Sequence, residues 1–283
     1  MANALLRDVC VPGVISSRPP STEAFRNKLH SHALAPRRAC RPLRSAIVRP
    51  SKVQAHATEA PAKSKARPGE KKGFVEEMRF VAMKLHTKDQ APKEGGKEAA
   101  PQPFQKWEPT REGYLRFLVE SKLVYDALEQ IVQQAPVPEY ARFQNTGLER
   151  AGPVSTDIDN LAAEYSLQKP EPATDGPGNN YANFLREVSQ SEPQVFMCHF
   201  YNTYFAHTAG GRMIGSKVSQ MILDNKQLNF YKYDSDVKEL LGNVRDSINE
   251  VAETWTREQK DKCLDETEKA FAYSSSLLKF IAS

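Results

Sequence analysis

From residue 73 onward, apolar and polar positions follow a helical rhythm, and that rhythm sets the first expectations. Between residues 191 and 224, apolar or aromatic side chains recur at Val195, Phe196, Phe200, Tyr204, Phe205, Ala209, Met213, Ile214, Val218, Met221 and Ile222. Their spacing by three and four predicts one long helix, with Ser191 and Gln194 as an S-x-x-Q capping box at its start. Gly210 and Gly211 interrupt the stripe. Each weakens a helix interior by about 1 kcal/mol relative to alanine. Because the period continues on both sides, the pair is expected to bend the helix rather than end it. Such a pair serves either a helix crossing or C-cap, or a flat ligand lying against bare backbone.

A second amphipathic segment covers residues 73–90, GFVEEMRFVAMKLHTKDQ, with Val75, Met78, Ala82 and Leu85 in one stripe and helix expected to about Lys88. His86 follows Ala82 by four residues and Arg79 by seven, so it is expected to face the interior, as a core histidine or a ligand. Residues 91–109, with four prolines and two glycines, read as a loop. Thr110 is placed to cap a helix that buries Tyr114, Phe117, Leu118, Val124, Tyr125, Leu128, Ile131 and Val132, and Pro136 and Pro138 stop it. Residues 139–168 predict short helices broken at Gly147 and at Gly152–Pro153, and 169–179 a loop before a short helix at 181–189. A connection at 225–233 leads to a helix capped by Asp234 or Ser235 and running to about Val251. Thr256 with Gln259 forms a second capping box, opening a terminal helix with Leu264, Phe271, Leu278 and Ile281. No segment carries the period-two alternation of a strand, so the expected fold is all-α in one domain, residues 73–283.

Composition changes the picture mainly at the N-terminus. Residues 1–58 hold ten Arg and Lys against Asp8 and Glu23, with frequent serine, alanine and proline and no long apolar face. That composition is that of an organellar transit peptide, with processing expected in 53–58; a basic arm for nucleic acid or anionic lipid is the alternative. Residues 59–72 read as a charged, disordered linker. The chain carries +4 overall and its first 58 residues +8, so the remainder is −4, which argues against general nucleic-acid binding. No run of about 18 apolar residues is available to span a membrane. Cys10 and Cys40 lie in the presumed transit segment; Cys198 and Cys263 give neither a disulfide framework nor a zinc site.

Several lines together, GFVEEMRFVAMKLHT, FQKWEPTREGYLRFLVESKLVYDALE, NTGLERA, HFYNTYFAHTAGGRMIG, FYKYD and WTREQKDKCLDETEKAF, resemble the heme oxygenases, and most closely the plant chloroplast type. The resemblance covers residues 73–283 and implies a helical bundle holding heme between a proximal helix and the glycine-bearing distal one. It implies that His86 is the iron ligand and that Gly210 and Gly211 let the distal wall approach. His207 stands where animal members carry an aspartate that orders distal water; a histidine there could order water or relay a proton. For the heme propionates the resemblance implies Arg79, Tyr201 and Arg245, the last in the pattern R-x-x-I-N. Lys238 lies seven residues before Arg245 on the same face. Met83 replaces a further lysine of the family, and Phe271 matches an aromatic packed on the porphyrin. Gln90, four residues after the ligand, is placed to accept the imidazole proton without adding charge.

The implied reaction is oxidative opening of heme at the alpha-meso carbon to biliverdin IX-alpha, carbon monoxide and ferrous iron, an oxidoreductase chemistry with heme as substrate and cofactor. Reduced ferredoxin is the implied electron donor in the plastid stroma, and a bilin reductase the implied consumer of the product, toward the phytochrome chromophore. Arg212, Lys217, Lys232 and Lys238 are candidates to dock an acidic ferredoxin. Nothing demands more than a monomer. A heme-binding paralogue without turnover and a thiaminase-like all-α enzyme are the rivals; no nucleophilic cysteine sits in a suitable block for the second.

Overall fold

The computed structural model describes residues 68–86 and 108–281, and all of these belong to the unit Ala62–Ser283. The expected transit segment, the linker up to residue 67, Gln90 and the loop through 107 lie outside the described residues. Among the described residues there are helices and turns and no strand. The helices are α1 (Phe74–Leu85), α2 (Arg111–Gln134), α3 (Ala151–Glu164), α4 (Pro177–Ser191), α5 (Pro193–Ala206), α6 (Arg212–Ile222), α7 (Val237–Glu253), α8 (Arg257–Asp265) and α9 (Thr267–Leu278). Short 3-10 turns occur at Glu70–Lys72, Pro138–Phe143 and Asn229–Tyr231. The first of these falls within the stretch expected to be an unstructured linker.

α2 is the pillar of the bundle. Thr110 caps it as expected, accepting from the Gly113 amide at 3.0 Å, and all eight residues of its expected apolar face are buried. It packs α3 on one side and α4 on the other. Each large side chain fully buried there contributes roughly 1.5–3 kcal/mol. The junction with α4 is close: a Cβ at Gly178 would lie 2.5 Å from the Glu120 carbonyl oxygen. The buried Glu120 carboxylate accepts from the Gly178 amide at 2.7 Å, which places negative charge at the start of α4.

Several expected boundaries are corrected. Ser191 ends α4, its hydroxyl donating to the Glu187 carbonyl, so the expected capping box with Gln194 does not form. Pro193 sits in the first turn of α5, where its missing N–H costs nothing, and the chain divides at Glu192. α1 ends at Leu85 rather than near Lys88, with His86 already extended at φ −67, ψ 119. Gly152 and Pro153 break nothing; they lie in the first turn of α3. α4 starts at Pro177, four residues before the expected start at 181. Asp236, not Asp234 or Ser235, caps α7. The capping box of Thr256 and Gln259 forms, but the expected terminal helix is two, α8 and α9, meeting at Glu266.

Between α5 and α6, residues His207–Gly211 form one turn of π-helix, closed by the Arg212 amide on the His207 carbonyl. The glycine pair therefore neither ends the helix nor uses glycine's freedom of φ: Gly211 is ordinary helix at φ −57, ψ −46. A Cβ is not tolerated further on, at Gly215, where it would lie 2.3 Å from the Tyr231 ring. Gly215→Ala is expected to cost about 1–3 kcal/mol through forced repacking. Gly242→Ala, in the middle of α7 with nothing within 4 Å of the new carbon, is expected to stabilise by up to about 1 kcal/mol. Urea unfolding of the two variants checks both signs.

Candidate functional site

α1 is fixed at one end and open at the other. Asn249 of α7, the last residue of the R-x-x-I-N pattern, accepts from the Val75 amide at 3.0 Å and so caps the first turn. Buried Glu77 accepts from Arg257 of α8 at 2.9 Å. Val75 and Met78 are buried, whereas Met83 and Leu85 are 49% and 37% exposed. The expected stripe thus leaves the core before it reaches His86, which is exposed rather than enclosed. Its ring lies 5.2 Å from that of Phe271 on α9.

His86 is exposed because it borders a cavity of about 410 Å³, within the about 300–1,000 Å³ of small-molecule sites. The lining is largely apolar and aromatic, including Phe117, Val124, Tyr125, Ile214, Phe230 and Leu278, with Ser121, Tyr181, Asn202, Thr203 and Ser274 as polar members. Gly210 and Gly211 line it too. A Cβ at Gly210 would meet nothing within 4 Å, so the missing side chain is replaced by open space. At Gly211 the added carbon would press on His207 Nδ1 at 3.2 Å. An apolar slot bordered by an imidazole and by side-chain-free backbone fits a flat macrocycle with a metal centre. Partial burial lowers the His86 pKa, which favours the neutral ring that can ligate.

His207 lines the cavity. It is buried, its Nε2 donates to the Phe230 carbonyl at 2.9 Å, and its ring stacks on Tyr231 at 5.3 Å. Burial lowers its pKa to about 3, with Arg150 and Arg212 adding to the shift against the carbonyl bond. The ring is therefore neutral at pH 7, with its Nε2 proton held on the Phe230 carbonyl. The turn it leans on is anchored in turn. Asp157 accepts from the backbone amides of Asn229 and Phe230, and Tyr231 Oη meets Tyr114 Oη at 2.9 Å.

Of the expected site residues, His86, His207, Gly210, Gly211 and Phe271 line the cavity, and Arg79, Met83, Tyr201, Lys238 and Arg245 do not. Three of the latter gather beside it. Arg245 lies over the ring of Phe205, at 5.1 Å and one residue before the lining Ala206. Tyr201 is buried, and burial raises its phenol to about 12 against the pull of Arg245 and Arg79. Arg79 is held bidentately by Glu76, at 2.7 and 3.0 Å, and donates to Met83 Sδ at 2.9 Å. Glu76 was missed although its i,i+3 spacing to Arg79 was readable. Lys238 is exposed near the start of α7. Cys198 and Cys263 are free and buried. The described residues contain no His, Cys and carboxylate cluster fit to hold a metal ion, and no helix long and apolar enough to cross a membrane.

The His207 environment yields a signed prediction. Its ordinary value is 6.5 and its folded value about 3, so between those limits the unfolded chain binds more protons. Stability therefore falls as pH drops through that window, by up to about 1.4 kcal/mol per pH unit for this group. His207→Gln, which can still donate to the Phe230 carbonyl, is expected to flatten the slope by that amount. Denaturation of both proteins at pH 7, 6 and 5 measures the difference.

Residues 70–279 match the heme oxygenase family model. The chain is 59% identical over 238 residues to heme oxygenase 1, chloroplastic, of Arabidopsis thaliana, covering 83% of each protein. It is 36% identical over 249 residues to a probable inactive heme oxygenase 2, chloroplastic, of the same plant, covering 82% of each. Among solved structures, heme oxygenase-1 of the cyanobacterium Synechocystis in complex with heme superposes with a TM-score of 0.59 at 17% identity, over 73% of this chain and 91% of that one. The helical fold is thus shared with that protein, and the match over most of the folded residues shows that the chain belongs to the heme oxygenase family.

Proposed function

We propose that this protein opens heme at the alpha-meso carbon with O2, releasing biliverdin IX-alpha, carbon monoxide and ferrous iron, and that reduced ferredoxin supplies the electrons. One observation carries the reading: a neutral imidazole and a side-chain-free stretch of helix border the same apolar cavity. Its compartment is the chloroplast, as for both plant relatives. Residues 1–58 are read as the transit peptide and 73–283 as the enzyme domain.

Bound heme supplies the iron on which oxygen is reduced and the carbon that is attacked. The protein supplies position. His86, pressed by the Phe271 ring, presents a neutral nitrogen from one wall. Gly210 leaves room on another, while Gly211 keeps the His207 ring from being displaced. Phe117, Val124, Tyr125, Phe230 and Leu278 exclude water from the slot. Arg245, beside the opening, and Arg79, released from Glu76, are placed to meet carboxylates of the substrate. Exposed Arg212, Lys217, Lys232 and Lys238 provide cations for an acidic electron carrier. A bilin reductase would take the product onward.

The presence of His86 at the end of α1 and the higher identity to the first plant relative favour turnover over a heme carrier. Hemin added to the protein with reduced ferredoxin is expected to lose its Soret band as a bilin band grows. A Soret band that persists without bilin would overturn the proposal. His86→Ala is expected to abolish bilin formation with helix content unchanged. Arg245→Gln is expected to weaken hemin affinity by about 2 kcal/mol, roughly thirtyfold, in a Soret titration.

A further inference from the structure

A hydrogen-bonded chain leads from the cavity to the surface through the side of α5 that faces α4 and α9. Tyr181 lines the cavity. Its Oη lies 2.8 Å from His199 Nδ1 and 3.3 Å from the hydroxyl of Thr203, another lining residue. On the other side of the imidazole, Nε2 lies 2.9 Å from Glu266 Oε1. The His199 side chain is wholly buried, while that of Glu266 keeps 17% of its surface. The geometry is rigid. Tyr273 stacks on Tyr181 at 4.4 Å, and Phe184 meets the His199 ring edge-on at 5.1 Å.

A chain that only held α4, α5 and the α8–α9 junction together could be built from groups that donate or accept in one sense. Here both middle groups, a phenol and an imidazole, can do either, and the outer group is an ionisable carboxylate in contact with water. The other histidine of this wall cannot serve: the proton on its Nε2 is committed to a backbone carbonyl. Reduction of oxygen in the cavity consumes protons, and the lining itself offers no ionised acid.

We propose that Glu266, His199 and Tyr181 form a proton relay from solvent to the heme cavity, with Tyr181 as its inner end and the other two acting through it. The relay rests on the function proposed above. In one passage the O–H of protonated Glu266 breaks as His199 Nε2–H forms. Nδ1–H breaks as Tyr181 Oη is protonated, and the original phenolic proton leaves to an acceptor in the cavity. Three bonds break and three form, one proton crosses, no electron moves, and His199 is left in its other tautomer. At rest burial pushes the Glu266 pKa up, but His199 and Lys269 together bring it below its ordinary value, while burial keeps the imidazole neutral against the pull of Glu266. Ionised Glu266 therefore selects the Nε2–H tautomer, the state in which a passage ends; a proton arriving at Glu266 removes that preference, and the next passage begins once the ring has given its Nε2 proton to water and taken one at Nδ1. The titratable groups facing His199 are Tyr181 from α4, Cys198 on α5, Tyr273 and Lys269 from α9, and Glu266.

The heme-free protein gives a readout independent of turnover. With 15N-labelled histidine, the His199 ring is expected in the Nε2–H form at neutral pH, and Glu266→Gln is expected to shift it toward Nδ1–H. In turnover, Glu266→Gln and His199→Asn are expected to slow bilin formation on the order of 100-fold. The loss should grow with rising pH and carry a larger solvent isotope effect, hemin affinity staying unchanged, and Glu266→Asp should recover most of the rate. A Glu266→Gln protein with wild-type rate, pH profile and isotope effect would overturn the relay, as would a His199 tautomer indifferent to that substitution. Should His199→Asn fail to fold, Glu266→Gln at the surface decides. Should the unsubstituted protein form no bilin, the functional reading fails and the ring signal alone judges the relay.

Discussion

The bond from His207 Nε2 to the Phe230 carbonyl is the contact on which the cavity wall depends. A π-turn in the middle of a helix widens the backbone, and the widened turn needs something outside the helix to hold its side chain in place. Here that support is a three-residue 3-10 turn, Asn229–Tyr231. The turn is pinned by Asp157, and its last ring fills the space that Gly215 leaves bare. Every link is buried and satisfied, which is what makes such a network stiff rather than costly. Gly210 can then present empty space because the histidine three residues earlier carries the load.

The wall that presents His86 is held by a different logic. α1 is tied down through its first turn, by Asn249 from α7 and Arg257 from α8, and its last turn carries Met83 and Leu85 toward solvent. The ligand candidate sits one residue past the helix end, in extended backbone. A rigid roof facing a wall whose free end is lightly packed suits a slot that must admit a large flat molecule and later release a changed one. The bidentate bond between Arg79 and Glu76 fits the same requirement. It parks a cation within one helical element, exposed enough that exchange for a substrate carboxylate costs little.

How much of this was legible follows from the range of each interaction. Thr110, the Thr256–Gln259 box and the buried face of α2 were readable because the forces that fix them act within one turn or one period. The Ser191 box failed for an equally local reason, since Pro193 two residues on makes the chain restart its helix at Glu192. Gly152–Pro153 misled because a breaker in the middle of a helix is harmless in its first turn. The site divides in the same way. Gly210, Gly211 and His86 stood out in sequence, by composition and by resemblance. Tyr181, Thr203, Ser121 and Phe230 did not, because helices far apart in sequence converge on the slot and no spacing announces it. Gly215 was passed over beside a more conspicuous pair, although it is the glycine that packing requires.

His207 and His199 show why residue type and burial do not by themselves settle a role. Both lie on the same helical path, eight residues apart, and both are buried and held neutral by that burial. One meets a backbone carbonyl, which accepts a hydrogen bond and can never take the proton. Its imidazole is fixed in one tautomer and becomes a structural strut. The other lies between a phenol and a carboxylate, each able to exchange a proton with it, so its two tautomers differ by an ionisation that solvent can reach. Had the carboxylate stood on the first histidine and the carbonyl on the second, the same two rings would have traded duties without any change in the helix that carries them.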